Sequence, residues 1–126
     1  MILPAAVVCL ALTMHYEAGV DPLDGQLAVA LATLNRAHHR QAQVCNEVFR
    51  PGAFEWTAQI PAGPGKAQMA RLKSTATVAV SMHDFTNGAT HFCLHTAYCS
   101  WQDEMIFLGR WGSHNFYKPQ SKKGKK

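Results

Sequence analysis

The sequence lacks the apolar run of ~20 residues that a membrane-spanning helix requires. It also lacks a glycine or heptad repeat, which excludes collagen and coiled coils. Charged residues are scarce, at 16%, whereas hydrophobic residues make up 48%. A disordered chain shows the opposite balance. The 126 residues are therefore predicted to form one domain around a hydrophobic core.

Positive charge is concentrated at the C-terminus. The chain has twelve Lys and Arg against eight Asp and Glu, a formal charge of +4. Without the five lysines of the last nine residues the body is close to neutral, so a nucleic-acid-binding surface is not expected. We expect a domain over residues 1–117 and a basic, flexible tail over 118–126 that is solubilising or is attracted to a polyanion. The tail lysines are Lys118, Lys122, Lys123, Lys125 and Lys126.

Residues 2–14 are apolar and could be mistaken for the core of a signal peptide. No Lys or Arg precedes them, and they run into His15 without a cleavage site of small residues. We interpret this segment as a buried helix of the mature protein. The chain is then expected to be made in the cytoplasm without a signal peptide.

The first two thirds of the chain have the hydrophobic spacing of helices. Gly19 is placed to end the first helix, and Asp21 before Pro22 has the arrangement of an N-cap followed by a proline in the first turn. Helices are predicted over residues 4–18, from 22 to 38–40, at 44–49 for one or two turns, and over 67–82.

The last third favours short strands. Asn87-Gly88 is a turn signal, and residues 109–113 are predicted to turn the chain. Strands are predicted at 90–95, 105–108 and 114–117. The expected fold is a mostly helical α+β domain with a small sheet late in the sequence.

Among the eight carboxylates, Glu17 has the most unusual position. It ends a nearly uncharged apolar helix between Tyr16 and Ala18. Desolvation there raises the pKa of a carboxyl group and keeps a proton available near neutrality, as a general acid requires. The alternative is a solvated helix end. The other carboxylates are explained as caps, turns or exposed faces.

The four cysteines permit disulfides without requiring them. Cys9 is predicted to be a small core residue. His91, Cys93, His95 and Cys99 are dense in metal-type ligands, which leaves open a zinc site or a Cys93–Cys99 disulfide. Reduced packing cysteines are the favoured interpretation, and no metal or cofactor is predicted.

Several blocks of the sequence stand out in order, at 15–18, 25–30, 34–36, 44–49, 54–56, 84–92, Trp101 and 112–117. Together they resemble the SleB-type cell wall hydrolases, the spore-cortex-lytic enzyme family, whose catalytic domain also occurs in phage lysins. The blocks cover roughly residues 8–117. One position departs from the family pattern, because Ala53 stands where the family has glutamine.

The resemblance implies a lysozyme-like domain that acts on peptidoglycan glycan strands. It implies a single essential glutamate, Glu17, and a lytic transglycosylation at the bond between N-acetylmuramic acid and N-acetylglucosamine. A phage lysin that reaches the wall after release, or that is carried in the virion, is expected, as a monomer. Its basic tail would contact an anionic outer membrane.

Two alternatives remain. A true hydrolytic muramidase needs a second carboxylate, for which Glu55 is the first candidate and Asp84 the next. A non-catalytic glycan-binding module is the other. Exposed aromatic rings could stack on sugars, with Trp56 and Tyr117 preferred for this role. The predicted substrate-binding residues are Tyr16, Asn35, Arg36, Phe54, Glu55, Trp56, Asn87, His91, Trp101, His114 and Tyr117.

Overall fold

The computed structural model describes residues 1–121 and has the expected mostly helical α+β architecture. Four helices come first and a three-stranded antiparallel sheet follows. The helices are α1 (Pro4–Ala18), α2 (Leu23–Arg36), α3 (Gln41–Val48) and α4 (Lys66–Ser81), with short 3-10 turns at Glu55–Thr57 and Gln102–Glu104. The strands are β1 (His91–Leu94), β2 (Met105–Trp111) and β3 (His114–Pro119).

Helix α1 is the centre of the core. It packs against α2, α3 and α4 at once, which explains why it is apolar on most sides. Leu10, Ala11 and Met14 are fully buried, and the buried hydroxyl of Thr13 donates to the carbonyl of Cys9 within the helix. The predicted span of 4–18 is confirmed. No helix among residues 1–121 is long and apolar enough to cross a membrane.

The predicted start and end of α2 are both wrong. Pro22, in extended backbone, immediately precedes the first helical residue, and Asp21 makes no cap. The helix ends at Arg36 because His38 and His39 adopt positive φ angles of 54° and 58°, which an α-helix cannot contain.

Asp21 instead joins the start of α2 to the turn between β2 and β3. Its Oδ2 accepts hydrogen bonds from the Ser113 backbone N at 3.3 Å and from the Ser113 hydroxyl at 3.0 Å. Gly112 lies against it with φ of +62°, and a Cβ there would come within 2.8 Å of Oδ2. Only glycine therefore permits this approach of the turn to the helix.

The sheet has the order β1-β3-β2. The turn predicted over residues 109–113 is confirmed only at 112 and 113, because β2 continues to Trp111 through a register shift between Phe107 and Gly109. The last strand also extends beyond the predicted domain end. Lys118 pairs with Ile106, and its Nζ donates to the Asn87 carbonyl at 3.2 Å. Residues 122–126 of the predicted tail lie outside the described residues.

All four cysteines are paired in disulfides. Cys9–Cys45 joins α1 to α3, and Cys93–Cys99 closes the loop after β1. The prediction of reduced packing cysteines is therefore wrong. In the second bridge Cys93 and Cys99 are bonded to each other, so neither sulfur is available as a zinc ligand. Residues 1–121 contain no group of three or more His, Cys, Asp or Glu placed to hold a metal.

The two disulfides are expected to stabilise the fold unequally, because loop-closure entropy grows with loop length. Cys9 and Cys45 are 36 residues apart, whereas Cys93 and Cys99 are 6 apart. Replacing the first pair with alanine should lower the free energy of unfolding by about 4 kcal/mol, and replacing the second by about 2 kcal/mol. Urea unfolding without reductant measures both. Equal losses would contradict this prediction.

Candidate active site

A groove of about 780 Å³ opens between the C-terminal end of α1 and the small sheet. One side consists of Glu17 and the segment that follows α3, and the other side consists of β1 and the loop closed by the Cys93–Cys99 disulfide. Its lining comprises Glu17, residues 52–55, Arg36, Arg50, residues 91–94, Ala97, Cys99, Trp101 and His114.

Glu17 is partly buried in this groove and is held in the last turn of α1. Burial, together with a smaller effect of the negative charge of Glu55, raises the pKa of Glu17 to about 7. The Trp56 indole opposes this rise; its buried Nε1 has no partner of good hydrogen-bonding geometry among residues 1–121. A substantial fraction of Glu17 is therefore protonated at neutral pH, as general acid catalysis requires.

A cluster of aromatic rings around Trp56 lies next to Glu17. Trp56 lies 4.7 Å from Tyr16, 5.8 Å from Phe49 and 6.1 Å from Phe54 between ring centroids. Trp56 is only 9% exposed. This apolar cluster contributes to the desolvation of the Glu17 carboxyl group.

The expectation that Trp56 and Tyr117 present rings for sugar stacking is wrong. Both are buried, and neither lines the groove. Tyr117 instead supports Trp101, with ring centroids 5.3 Å apart. Trp101 itself is partly exposed and lines the groove, so it is the tryptophan placed to contact a sugar.

Two histidines of the groove are held in the neutral form. Burial lowers the pKa of His91, and the Arg36 charge lowers it further. Burial also lowers the pKa of His114, against the opposing effect of Asp21, whose Oδ2 lies 3.6 Å from His114 Nδ1. His91 Nδ1 lies 2.8 Å from the Thr90 hydroxyl. Both imidazoles are therefore suited to hydrogen bonding with sugar hydroxyls without adding charge.

Several predicted site residues lie outside the groove. Tyr16 donates its hydroxyl proton to the Pro61 carbonyl at 2.9 Å. Asn35 donates to Asp84 Oδ2 at 3.0 Å and to the Ala89 carbonyl at 2.8 Å, so it fixes the turn after α4. Asn87 belongs to that turn, with φ of 64°. These residues support the site without lining it.

Asp84 is not available as a second catalytic carboxylate. Burial raises its pKa, but hydrogen bonds from Thr86, Asn35 and the Gly88 backbone outweigh that effect and lower it. Its oxygens are occupied inside the turn, and it does not line the groove. Of the described residues that line the groove, Glu17 and Glu55 alone carry carboxylates.

Several residues of the groove were not predicted from the sequence. Arg50 is the most polar of them, and its Nη2 donates to Glu47 at 2.9 Å. The only signal was its position three residues after Glu47. Ala97 was not predicted because a loop closed by a covalent bond has no periodic pattern, and the Cys93–Cys99 disulfide that closes it was an alternative that the sequence left open.

Comparison with known proteins identifies similar chains. A family model described as Cell Wall Hydrolase matches residues 20–117. The crystal structure of the catalytic domain of the Bacillus cereus SleB protein matches with a TM-score of 0.73 and 26% identity, over 94% of this chain and 93% of that one. The catalytic domain of the germination-specific lytic transglycosylase SleB from Bacillus anthracis matches with a TM-score of 0.74 and 26% identity, over 92% and 96%. A search of curated proteins finds no match.

The pKa of Glu17 predicts how stability depends on pH. Because this pKa rises from 4.5 to about 7 on folding, the folded state holds an extra proton in that interval. The free energy of unfolding therefore falls as pH rises from 4.5 to about 7. Glu17→Gln removes this loss. Above that pH interval the free energy of unfolding of the variant should therefore exceed that of the wild type by on the order of 3 kcal/mol.

Urea unfolding on both sides of this pH interval measures the difference. Glu104→Gln is the matched control, because Glu104 is exposed and lies outside the groove. Parallel pH dependence in the wild type and Glu17→Gln would show that Glu17 is solvated.

Proposed function

The chain belongs to the cell wall hydrolase family and is a peptidoglycan-degrading enzyme, and from this premise we propose that it is a lytic transglycosylase with Glu17 as its catalytic residue. It cleaves the bond between N-acetylmuramic acid and N-acetylglucosamine. The observation that carries the proposal is a carboxyl group with a pKa of about 7 in a groove large enough for a polysaccharide. The Bacillus anthracis relative is a germination-specific lytic transglycosylase, which supports the same reaction for this chain.

One carboxyl group is sufficient for this reaction. Glu17 donates its proton to the glycosidic oxygen as the bond from that oxygen to C1 of the muramic residue breaks. The resulting carboxylate then accepts the proton of the muramic 6-hydroxyl while O6 bonds to C1. The N-acetylglucosamine end leaves with the first proton, Glu17 regains the second, and no water is consumed.

The rest of the groove supports this assignment. The neutral imidazoles of His91 and His114 bring no positive charge that would favour ionisation of Glu17. Trp101 and Phe92 give the opposite side an apolar surface for a sugar ring. Arg36, with its guanidinium 5.5 Å above the Phe54 ring, lines the end toward α3.

Glu17→Gln should reduce cleavage by about a thousandfold or more, because the amide keeps the shape but has no acidic proton. The measurement is digestion of purified sacculi followed by mass spectrometry of the soluble fragments. Glu104→Gln is the control and should retain activity. Products with 1,6-anhydromuramic ends are expected from the wild type, and intact sacculi would overturn the proposal. Equal behaviour of Glu17→Gln and the wild type would favour a non-catalytic glycan-binding module.

The alternative is a hydrolytic muramidase in which Glu55 is the second carboxylate. It is favoured by one observation, that Glu55 lines the same groove and its charge acts on Glu17. Such an enzyme would yield reducing ends. In the proposed transglycosylase, Glu55 only helps to keep Glu17 protonated.

Glu55→Gln separates these mechanisms. Removing the negative charge lowers the pKa of Glu17 from about 7, so the alkaline limb of the pH profile of kcat/KM should move to lower pH while the maximal rate is retained. A loss of about a thousandfold at every pH would identify Glu55 as a catalytic residue.

We extend the proposal to a phage lysin that acts on the wall outside the cytoplasm, as a monomer whose basic tail is attracted to an anionic envelope. The two disulfides support an oxidising site of action, because cytosolic reductants keep thiols reduced. Association with the virion is compatible with the same oxidising site of action.

A further inference from the structure

A second cavity, of about 380 Å³, adjoins the groove. Arg36 and Arg50 line both cavities and so stand at their boundary. The rest of its polar lining consists of His38, Arg40, Gln43, Asn46 and Glu47. An extended ligand bound at Glu17 would therefore meet this cavity beyond the two arginines.

The second cavity carries an excess of positive charge. Arg36, Arg40 and Arg50 face a single carboxylate, Glu47. One oxygen of that carboxylate, Oε2, accepts from Arg36 Nε at 3.0 Å and from Arg50 Nη2 at 2.9 Å. Two guanidinium groups thus share one negative charge, so Arg36, Arg50 and Glu47 together keep a net positive charge.

Glu47 holds these two arginines in place. Burial raises its pKa, but the hydrogen bond from Arg50 and the charge of Arg36 outweigh that effect and lower it, so Glu47 stays ionised. The bond from Arg36 uses Nε, so its terminal nitrogens are not engaged in this pair. The Arg50 side chain is 51% exposed and is accessible to a ligand.

We propose that this cationic cavity binds a carboxylate of the peptide stem of peptidoglycan. The inference rests on the proposed function, because the stem is attached to the same muramic ring whose C1 reacts at Glu17. Stem peptides carry free carboxylates, and planar guanidinium groups held in place bind carboxylates with charge-assisted hydrogen bonds. The cavity would make peptide-bearing strands better substrates than bare glycan.

The test compares sacculus strands that carry stem peptides with strands from which an amidase has removed them. The wild type should cleave peptide-bearing strands with about tenfold higher kcat/KM. Arg40→Gln/Arg50→Gln should lose that preference; both side chains are exposed, so the fold is retained. Arg71→Gln/Lys73→Gln, which removes the same number of positive charges from exposed α4 surface outside both cavities, should keep it. Equal cleavage of both substrates by the wild type would overturn the proposal.

Binding of the stem alone separates this inference from the proposed function. The probe is a synthetic tripeptide of L-alanine, γ-linked D-glutamate and meso-diaminopimelate, titrated calorimetrically into Glu17→Gln protein. Saturable binding to Glu17→Gln protein that becomes about tenfold weaker when Arg40→Gln/Arg50→Gln is added supports the subsite, even if sacculi resist the wild type. Binding unchanged by the arginine substitutions would overturn it.

Discussion

The site depends on the desolvation of one carboxyl group at the end of the central helix. Glu17 lies in the last turn of a helix that is buried on most sides, beside the aromatic cluster around Trp56. Burial is the largest cause of the rise in its pKa to about 7, and Glu55 adds a smaller effect. In full solvent the same group would be ionised at neutral pH and could not donate a proton. The fold therefore makes Glu17 an acid by burying its carboxyl group, rather than by pairing it with a dedicated partner residue.

Two connections between distant parts of the chain keep Glu17 accessible from the groove. The Cys9–Cys45 disulfide joins the central helix to α3, which leads into the segment carrying Glu55. Asp21, just after the helix, holds the β2–β3 turn and approaches His114. The sheet is therefore held opposite Glu17, and the groove between them is a consequence of the packing. Charge differs along the groove: Glu17, Glu55 and two histidines line its middle, and the arginines lie at the end toward α3.

The sequence predicted features that depend on neighbouring residues better than features that depend on residues far apart in the chain. Helix α1 and Glu17 at its end were predictable, because hydrophobic patterning and helix ends depend on residues a few positions apart. The same reasoning failed for Asp21, whose cap geometry was overridden by Ser113, 92 positions away. It failed for Trp56 and Tyr117 as well, since whether an aromatic ring is exposed depends on neighbours from other elements.

The sequence by itself determined the α+β class, the helical spans to within a few residues, and the one carboxylate at the end of an apolar helix. Its ordered motifs also indicated the family. Only the tertiary structure decided the cysteine pairing, the choice of Trp101 over Trp56 as the accessible tryptophan, the occupation of Asp84 within its turn, and the arginine pair around Glu47. These features join residues that are distant in the chain, and local pattern carries no information on which distant groups will meet.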